Sequence, residues 1–247
     1  MGRRCEERLS GSAQRLQRPH HRHRLFAARL GHGFAVAVDD LVPRRGRLLR
    51  NLLAFGWIVL ALACVGQIAE LNGRVSLDED APVVGLNALY LGVSVSDGLL
   101  AFTTFVVFCM WTYRAAANVK AARVPGFGFT PAWSVGWHFV PIANLFKPFQ
   151  AMRQIWAFSH GGDRDGIRDG QSLLIAWWGL WSLSLAVGMV LGMAAASPVT
   201  PDEKHEAIIL AIVNSATNLA LYPLALRLVA RLTEAQRDRL TAAGIFT

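Results

Sequence analysis

Four long apolar blocks separate the charged residues of this chain, at about residues 52–71, 86–111, 173–196 and 207–226. A helix of about 20 apolar residues crosses the roughly 30 Å hydrocarbon core of a bilayer, at about 1.5 Å per residue. The pattern therefore predicts an all-α integral membrane protein whose four transmembrane helices form a bundle.

Composition agrees with a membrane protein, since the chain is 53% hydrophobic and 17% charged, whereas soluble domains carry about 25% charged residues. The net charge of +8 could suggest nucleic-acid binding, but the distribution of the basic residues along the chain does not. Twelve of the 25 Lys and Arg precede the first block, and most others flank later blocks. Such flanks are typical of cytoplasmic loops beside anionic lipid. We therefore expect a plasma-membrane protein that contacts anionic lipids at its cytoplasmic face.

Outside the membrane domain, predicted at 48–240, the chain has two tails. Residues 1–47 are rich in Arg and His without a helical or strand period, so a disordered basic cytoplasmic tail is expected. Residues 241–247 form a short C-terminal tail. The three cysteines, Cys5, Cys64 and Cys109, fit neither a disulfide framework nor a zinc site, and no cofactor or metal is expected.

The stretch from Trp133 to Trp156 is apolar but interrupted by prolines and charges. If it does not cross, all Lys and Arg except Arg74 and Lys204 lie on the side of the N-terminus, as the positive-inside tendency requires. If it crosses as a fifth span, that bias weakens. We therefore predict that 131–158 is an interfacial or re-entrant segment at the cytoplasmic face, with both chain ends cytoplasmic.

Local signals give this segment its internal structure. Thr130 and Pro131 predict a helix start, and Pro148 is expected to kink the helix or to begin a new one. After Pro141, apolar residues recur at helical spacing and predict one amphipathic face, made of Ile142, Leu145, Phe146, Phe149, Met152 and Trp156.

Two sequence motifs, "WTYRAAANV" at 111–119 and "FTPAWSVGWHFVPIANLFKPFQAMRQIW" at 129–156, resemble the bacterial membrane family called domain of unknown function 4328. The resemblance implies a four-span inner-membrane protein and no activity. His138 departs from the pattern, which has an aromatic residue there. The matching positions are Trp111, Tyr113, Arg114, Asn118, Pro131, Trp133, Gly136, Trp137, Pro141, Asn144 and Pro148.

Asp97 is an ionisable residue near the middle of the second block. Such a group is costly in lipid and is by default a functional candidate. Asn218 in the fourth block reaches a similar depth, and Asn214 lies one turn nearer the outside on the same face. Asp97 is therefore expected either to bond these amides structurally or to form a proton or cation site.

Trp111, Arg114 and Asn118 share one helix face, at spacings of three and four residues. Arg114 could bind a lipid phosphate or another anionic ligand. Alternatively, Arg114 and Asn118 could bond backbone carbonyls freed by Pro141 or Pro148, with Asn144 as a partner. His138 is expected to be satisfied by water or backbone.

Three functions remain open from the sequence. The first is a non-enzymatic membrane protein that assembles with itself or a membrane-protein partner through its cytoplasmic segment. The second is a small transporter or ion-conducting oligomer using Asp97. The third is a lipid-acting enzyme near Arg114 and His138, although the chain carries no recognised catalytic signature.

Overall fold

The computed structural model describes residues 41–78, 80–122, 126–161, 164–194 and 200–244. This part of the chain folds into six α-helices and short 3-10 turns, with no strand. The predicted tail up to residue 40, and the last three residues of the C-terminal tail, lie outside the described residues.

The helices are longer than the apolar blocks that predict them. The six are α1 (Leu41–Leu71), α2 (Gly85–Ala121), α3 (Pro131–Gly136), α4 (Lys147–Ser159), α5 (Arg164–Ala194) and α6 (Pro201–Gly244). Of these, α1, α2, α5 and α6 are long and apolar enough to cross a membrane. The prediction of four membrane-length helices is therefore confirmed in length and composition.

Helix α1 begins at Leu41, inside the predicted basic tail. The guanidinium of Arg45 donates a 2.9 Å hydrogen bond to the Met110 carbonyl of α2, which ties this first turn to the bundle. Beyond the fourth block the sequence predicts a basic amphipathic helix from Arg227 to about Leu240, and α6 contains this stretch and ends at Gly244. The charged residues at the start of α1, by contrast, fall in the predicted tail.

The four long helices pack as a row in the order α2, α1, α6 and α5. Helices α1 and α6 run antiparallel, since Gly46 faces Thr233 and Gly56 faces Tyr222. Small residues at helix crossings allow this close approach in membrane proteins. Helices α2 and α5 stand at the two ends of the row, and aromatic side chains bridge the space between them.

The two ends of the bundle differ in charge. Exposed cationic side chains mark one end, which we call the basic end: Arg50, Lys120, Arg153 and Arg227. Exposed carboxylates mark the other, which we call the acidic end: Asp78, Asp80, Asp202 and Glu203. At the acidic end the Lys204 ammonium forms a salt bridge with Asp78, which joins the α1–α2 loop to the start of α6.

A segment from Pro131 to Ser159 packs at the basic end, where α3 contacts α2, and α4 contacts α2, α5 and α6. The Thr130 hydroxyl accepts a 3.2 Å hydrogen bond from the Trp133 amide, so the predicted helix start is confirmed. Helix α4 begins at Lys147 with Pro148 in its first turn. Pro148 therefore begins a new helix rather than kinking one.

The prediction of one continuous apolar face from Pro141 to Trp156 was wrong. Helix α4 buries Met152 and Trp156 inside the bundle, as predicted. Two 3-10 turns, Trp137–Phe139 and Ala143–Leu145, precede it and break the 3.6-residue period. Consequently Ile142 points outward and is 77% exposed.

Candidate functional site

Two family-motif residues of α2 are held by hydrogen bonds inside the basic end. Trp111 Nε1 donates to Thr233 Oγ1 at 3.2 Å, and Asn118 Nδ2 donates to Gln236 Oε1 at 3.1 Å. Gln236 Nε2 in turn donates to Ser159 Oγ at 3.1 Å. We call Trp111, Asn118, Ser159, Thr233 and Gln236 the polar anchor.

The polar anchor is buried, and it joins three helices. Trp111 is fully buried, and Gln236 is 1% exposed. Gln236 Nε2 also lies 3.3 Å from the Ala115 carbonyl of α2, and Ser159 ends α4. Buried polar networks that are satisfied in this way specify one arrangement of the elements that they join. The anchor therefore fixes α2, α4 and α6 relative to one another.

The partner of Asn118 differs from those expected. For Arg114 and Asn118 the sequence pointed to carbonyls freed by Pro141 or Pro148, or to Asn144, whereas Gln236 of α6 accepts the hydrogen bond from Asn118. Asn144 Oδ1 is instead buried without a hydrogen bond to any described residue. A signal for Gln236 was present, because it follows Leu228 and Leu232 at intervals of four, and both leucines are fully buried.

The other family-motif residues of the 131–148 region shape its backbone. Trp133 and Trp137 have ring centroids 4.5 Å apart, and a Cβ at Gly136 would lie 3.1 Å from the Trp133 ring. Pro141 is exposed and Pro148 is buried.

Two motif residues of α2 lie outside this arrangement. Tyr113 is 43% exposed, and Arg114 is half-buried. The structure therefore brings together some matching residues, while Tyr113 faces outward.

His138 lies in an aromatic cluster that joins α2 to α5. Its ring stands edge-on to Phe105, Phe108 and Trp181, with centroids 6.1, 6.2 and 6.1 Å away. His138 Nδ1 lies 3.0 Å from the Val135 carbonyl, so the expected backbone partner is confirmed. Burial lowers the pKa of His138, which favours the neutral ring, and its Nε2 has no partner among the described residues.

The intramembrane amides bond α5 rather than Asp97. Ser184 Oγ lies 3.2 Å from Asn214 Oδ1 and 3.0 Å from Asn218 Oδ1. No hydrogen bond joins Asp97 to either amide within the described residues. The structural alternative, in which Asp97 bonds these amides, is therefore not what the structure shows.

Asp97 belongs to a row of polar side chains that begins at the acidic end. The Tyr90 hydroxyl donates a 2.8 Å hydrogen bond to Glu70 Oε2, and Ser94 follows Tyr90 by four residues. Tyr90, Ser94 and Asp97 lie at i, i+4 and i+7, on one face of α2. The Asp97 carboxyl is within electrostatic range of Tyr222 of α6. We call these five residues the polar row.

A largely apolar pocket of about 500 Å³ lies among the four long helices. Its lining includes Thr104, Phe105, Trp181, Ser184, Asn218 and Tyr222. Thr104 Oγ1 and Trp181 Nε1 are buried and have no hydrogen-bond partner among the described residues. Tyr222 places the inner end of the polar row at the wall of this pocket.

The described residues contain no group of three or more His, Cys, Asp or Glu side chains that could hold a metal ion.

Comparisons with known proteins give one match. The family model described as Domain of unknown function (DUF4328) matches residues 74–234. This range contains α2 to α5, the polar row apart from Glu70, and four of the five positions of the polar anchor. No curated protein and no solved structure matches the chain.

Proposed function

Because the chain belongs to the family named domain of unknown function 4328, whose description carries no activity, we propose a function from its geometry. The protein is a non-enzymatic interaction protein of the bacterial plasma membrane. It assembles with a second membrane protein, either its own copy or another chain, through the outward side of residues 131–146.

The observation that carries the proposal is a set of large apolar side chains that the segment directs outward. Exposed fractions are 50% for Trp133, 68% for Phe139, 77% for Ile142 and 56% for Leu145. Neighbouring atoms of the same segment are bonded inward, since Trp178 Nε1 donates to the Leu145 carbonyl at 3.2 Å. The segment is thus held in place and presents a shaped apolar surface, as interaction sites do.

The orientation follows from charge. Cations gather at the basic end and carboxylates at the acidic end, so the positive-inside tendency directs the basic end to the cytoplasm. Both chain termini and residues 131–159 are then cytoplasmic, with residues 137–145 dipping into the inner leaflet beside Phe105. Exposed Arg50, Arg153 and Arg227 are suited to anionic headgroups.

Thiol labelling tests the orientation. Single cysteines replace exposed Lys120 at the basic end or exposed Arg74 at the acidic end, in a chain whose natural cysteines are changed to alanine. An impermeant maleimide should label Arg74→Cys on intact spheroplasts and Lys120→Cys only after the membrane is opened. Labelling of Lys120→Cys from outside contradicts the proposed orientation.

Photo-crosslinking tests assembly. A photoreactive amino acid replaces Ile142 in cells, with Phe102 as the matched position, since Phe102 is 68% exposed on α2 away from the segment. Protein adducts are expected at position 142 and not at position 102, and mass spectrometry identifies a second copy or another chain. Adducts with lipid alone, or equal protein adducts at both positions, contradict the assembly proposal.

The polar row favours a second candidate, a small transporter or ion-conducting oligomer. Its members extend from Glu70 at the acidic end through Asp97 to Tyr222, which lines the pocket, as a relay for protons or cations does. Liposomes that hold the purified protein should show proton or cation flux, and Asp97→Asn should abolish it while Asp80→Asn leaves it intact. Absence of flux, or flux that survives Asp97→Asn, contradicts this candidate.

A lipid-acting enzyme at Arg114 and His138 has the least support. The His138 ring is enclosed by Phe105, Phe108 and Trp181, and its Nδ1 is committed to a backbone carbonyl. Lipid turnover that is lost in the Arg114→Ala, His138→Ala double variant would support an enzyme.

A further inference from the structure

We propose that the cleft between α4 and α5 binds one anionic phospholipid, with its phosphate at Arg153 and an acyl chain that runs towards the membrane interior. The proposal deepens the contact with anionic headgroups given above, because it assigns one lipid to a defined site. It rests on the proposed function only for the location of the basic end at a membrane surface.

The cleft is formed by one face of each of these two packed helices. On each helix the lining residues recur at helical spacing, so each set shares one face. The lining residues are Phe149, Arg153 and Trp156 of α4 and Gln171, Leu174 and Ile175 of α5. The volume of about 130 Å³ is below the roughly 300–1,000 Å³ of sites that enclose a whole small ligand. The cleft therefore accommodates one part of a larger molecule.

The floor of the cleft is buried, whereas its rim is accessible. Trp156 and Leu174 form the floor and are 2% and 1% exposed. A Cβ at Gly170 would collide with the Trp156 indole, so the glycine lets this ring lie against α5. Arg153 and Gln171 are exposed at the rim. A ligand can therefore reach the two polar side chains while it covers an aromatic and aliphatic floor.

The polar side of the rim is suited to an anion. No ion pair joins Arg153 to another described residue, and no carboxylate belongs to the described lining. On the α5 side of the cleft, the Gln171 amide supplies further N–H donors. A guanidinium binds phosphate oxygens through paired N–H groups, and basic pockets between membrane helices bind anionic headgroups. Charge complementarity therefore assigns a phosphate to Arg153.

Contacts along the two helices give the depth of the cleft in the membrane. The candidate span of α5 begins at Gly170, and Trp156 packs against this glycine. Further along α5, the ring centroid of Trp178 lies 6.1 Å from that of Phe149. Helix α4 therefore runs antiparallel to α5 beside the first turns of the span, over about 12 Å at 1.5 Å per residue. The cleft thus extends from the membrane boundary into the acyl region.

The apolar part of the cleft favours a lipid over a water-soluble phosphate. Ile175 is 53% exposed and lies inside the candidate span, and Phe149 lines the α4 side. A soluble phosphate would leave this apolar surface uncovered, whereas an acyl chain covers it and gains from its burial. The occupant therefore combines a phosphate with an acyl chain.

Binding of dioctanoylphosphatidylglycerol to the full-length protein in detergent tests the proposal, with Kd taken from the ligand-induced rise in the unfolding midpoint. Arg153→Gln should raise Kd about tenfold, the value of one charge-assisted hydrogen bond. The matched control is Arg50→Gln, because Arg50 is an exposed cation of the same basic end that does not line the cleft. It should leave Kd unchanged.

Further measurements separate the chemistry of the ligand from folding. Glycerol 3-phosphate lacks acyl chains and dioctanoylphosphatidylcholine lacks net charge, so both should bind more weakly than dioctanoylphosphatidylglycerol. Ile175→Asn should raise Kd for the anionic lipid severalfold, because it removes apolar surface that the chain covers. Arg153→Gln should leave the ligand-free unfolding midpoint unchanged, as an exposed substitution does.

Four results would overturn the proposal. They are absence of phosphatidylglycerol binding, equal Kd in Arg153→Gln and the natural chain, equal affinity for phosphatidylcholine, and equal affinity for glycerol 3-phosphate. The last result would identify a water-soluble phosphate as the occupant. Orientation and assembly are measured separately in cells by thiol labelling and photo-crosslinking, so their failure is distinguishable from a failure of lipid binding in detergent.

Discussion

The side chains of Asn118 and Gln236 meet inside the basic end of the bundle, with Asn118 Nδ2 donating a 3.1 Å hydrogen bond to Gln236 Oε1. One glutamine side chain thereby bonds both α2 and Ser159 of α4. The family motif and the C-terminal helix are thus parts of one structural unit.

Gln236→Leu should lower the free energy of unfolding by about 1–3 kcal/mol, because Asn118 and Ser159 are left buried with fewer partners. Denaturant titration in detergent measures the change. Gln150→Leu on the exposed side of α4 is the matched control and should change stability by less than about 0.5 kcal/mol.

The double variant Asn118→Leu, Gln236→Leu sharpens this first prediction. Removing both partners of a buried hydrogen bond costs less than removing one. The double variant should therefore lose less unfolding free energy than the two single variants lose together. Strict additivity would show that the two amides do not interact in solution.

Gly46→Ala should destabilise the protein by about 1–3 kcal/mol. Its Cβ would lie 2.6 Å from Thr233 Oγ1, the acceptor of the Trp111 indole, so Thr233 must move. Thermal unfolding measures the effect. Gly92→Ala on α2 is the control, since no atom lies within 4 Å of a Cβ there, and it should be neutral or slightly stabilising.

Thr130→Val should loosen the start of α3, because the amide of Trp133 loses its side-chain acceptor. Loss of an N-cap costs about 1 kcal/mol, so hydrogen exchange of the 132–137 amides should accelerate roughly fivefold. Thr130→Ser retains the hydroxyl and should restore protection. Equal exchange in both variants would refute the role of the cap.

The stability contributed by the salt bridge between Lys204 and Asp78 at the acidic end should depend on pH. Hydrogen bonds from Lys204 and Ser76 lower the pKa of Asp78 below its ordinary value. The carboxylate therefore contributes stability that is present above the unfolded pKa of about 3.9 and is lost as pH falls through the lower folded value.

Asp78→Asn isolates this contribution. Its stability should fall below that of the natural chain at pH 6 and match it once the pH is below the folded pKa of Asp78. The difference at pH 6 should be small and should shrink in 1 M salt, because both side chains are partly exposed and exposed ion pairs are screened. A difference that persists at low pH contradicts the assignment.

Hydropathy predicted the four membrane-length helices because crossing lipid requires one long apolar run per span. The helix ends were harder to predict, since a charged residue such as Arg45 gives the same hydropathy signal in a tail and in a helix that is bonded to its neighbour. The helix start at Thr130 could be predicted because a helix cap depends on residues that are adjacent in sequence.

Only part of the polar anchor could be predicted from the sequence. Trp111 and Asn118 were singled out by the family motif, but their partners Thr233 and Gln236 lie more than 110 residues away. Pairing across that distance depends on which helix faces which, and apolar periodicity does not specify this. Asp97 was flagged by its cost in lipid, while its neighbour Tyr222 emerged only from the packing of α6.

The separation between Trp111 and Thr233, 122 residues, also has a consequence for biosynthesis. At about 5–20 residues per second, a ribosome needs on the order of 6–24 s to proceed from the indole to the hydroxyl that accepts its hydrogen. During that interval the earlier helices reside in the translocation machinery and bilayer with the amide of Asn118 unmatched. The hydrogen bonds of the polar anchor therefore form only after the final helix emerges. Truncation near the C-terminus leaves a protein that can insert but lacks these hydrogen bonds between its helices.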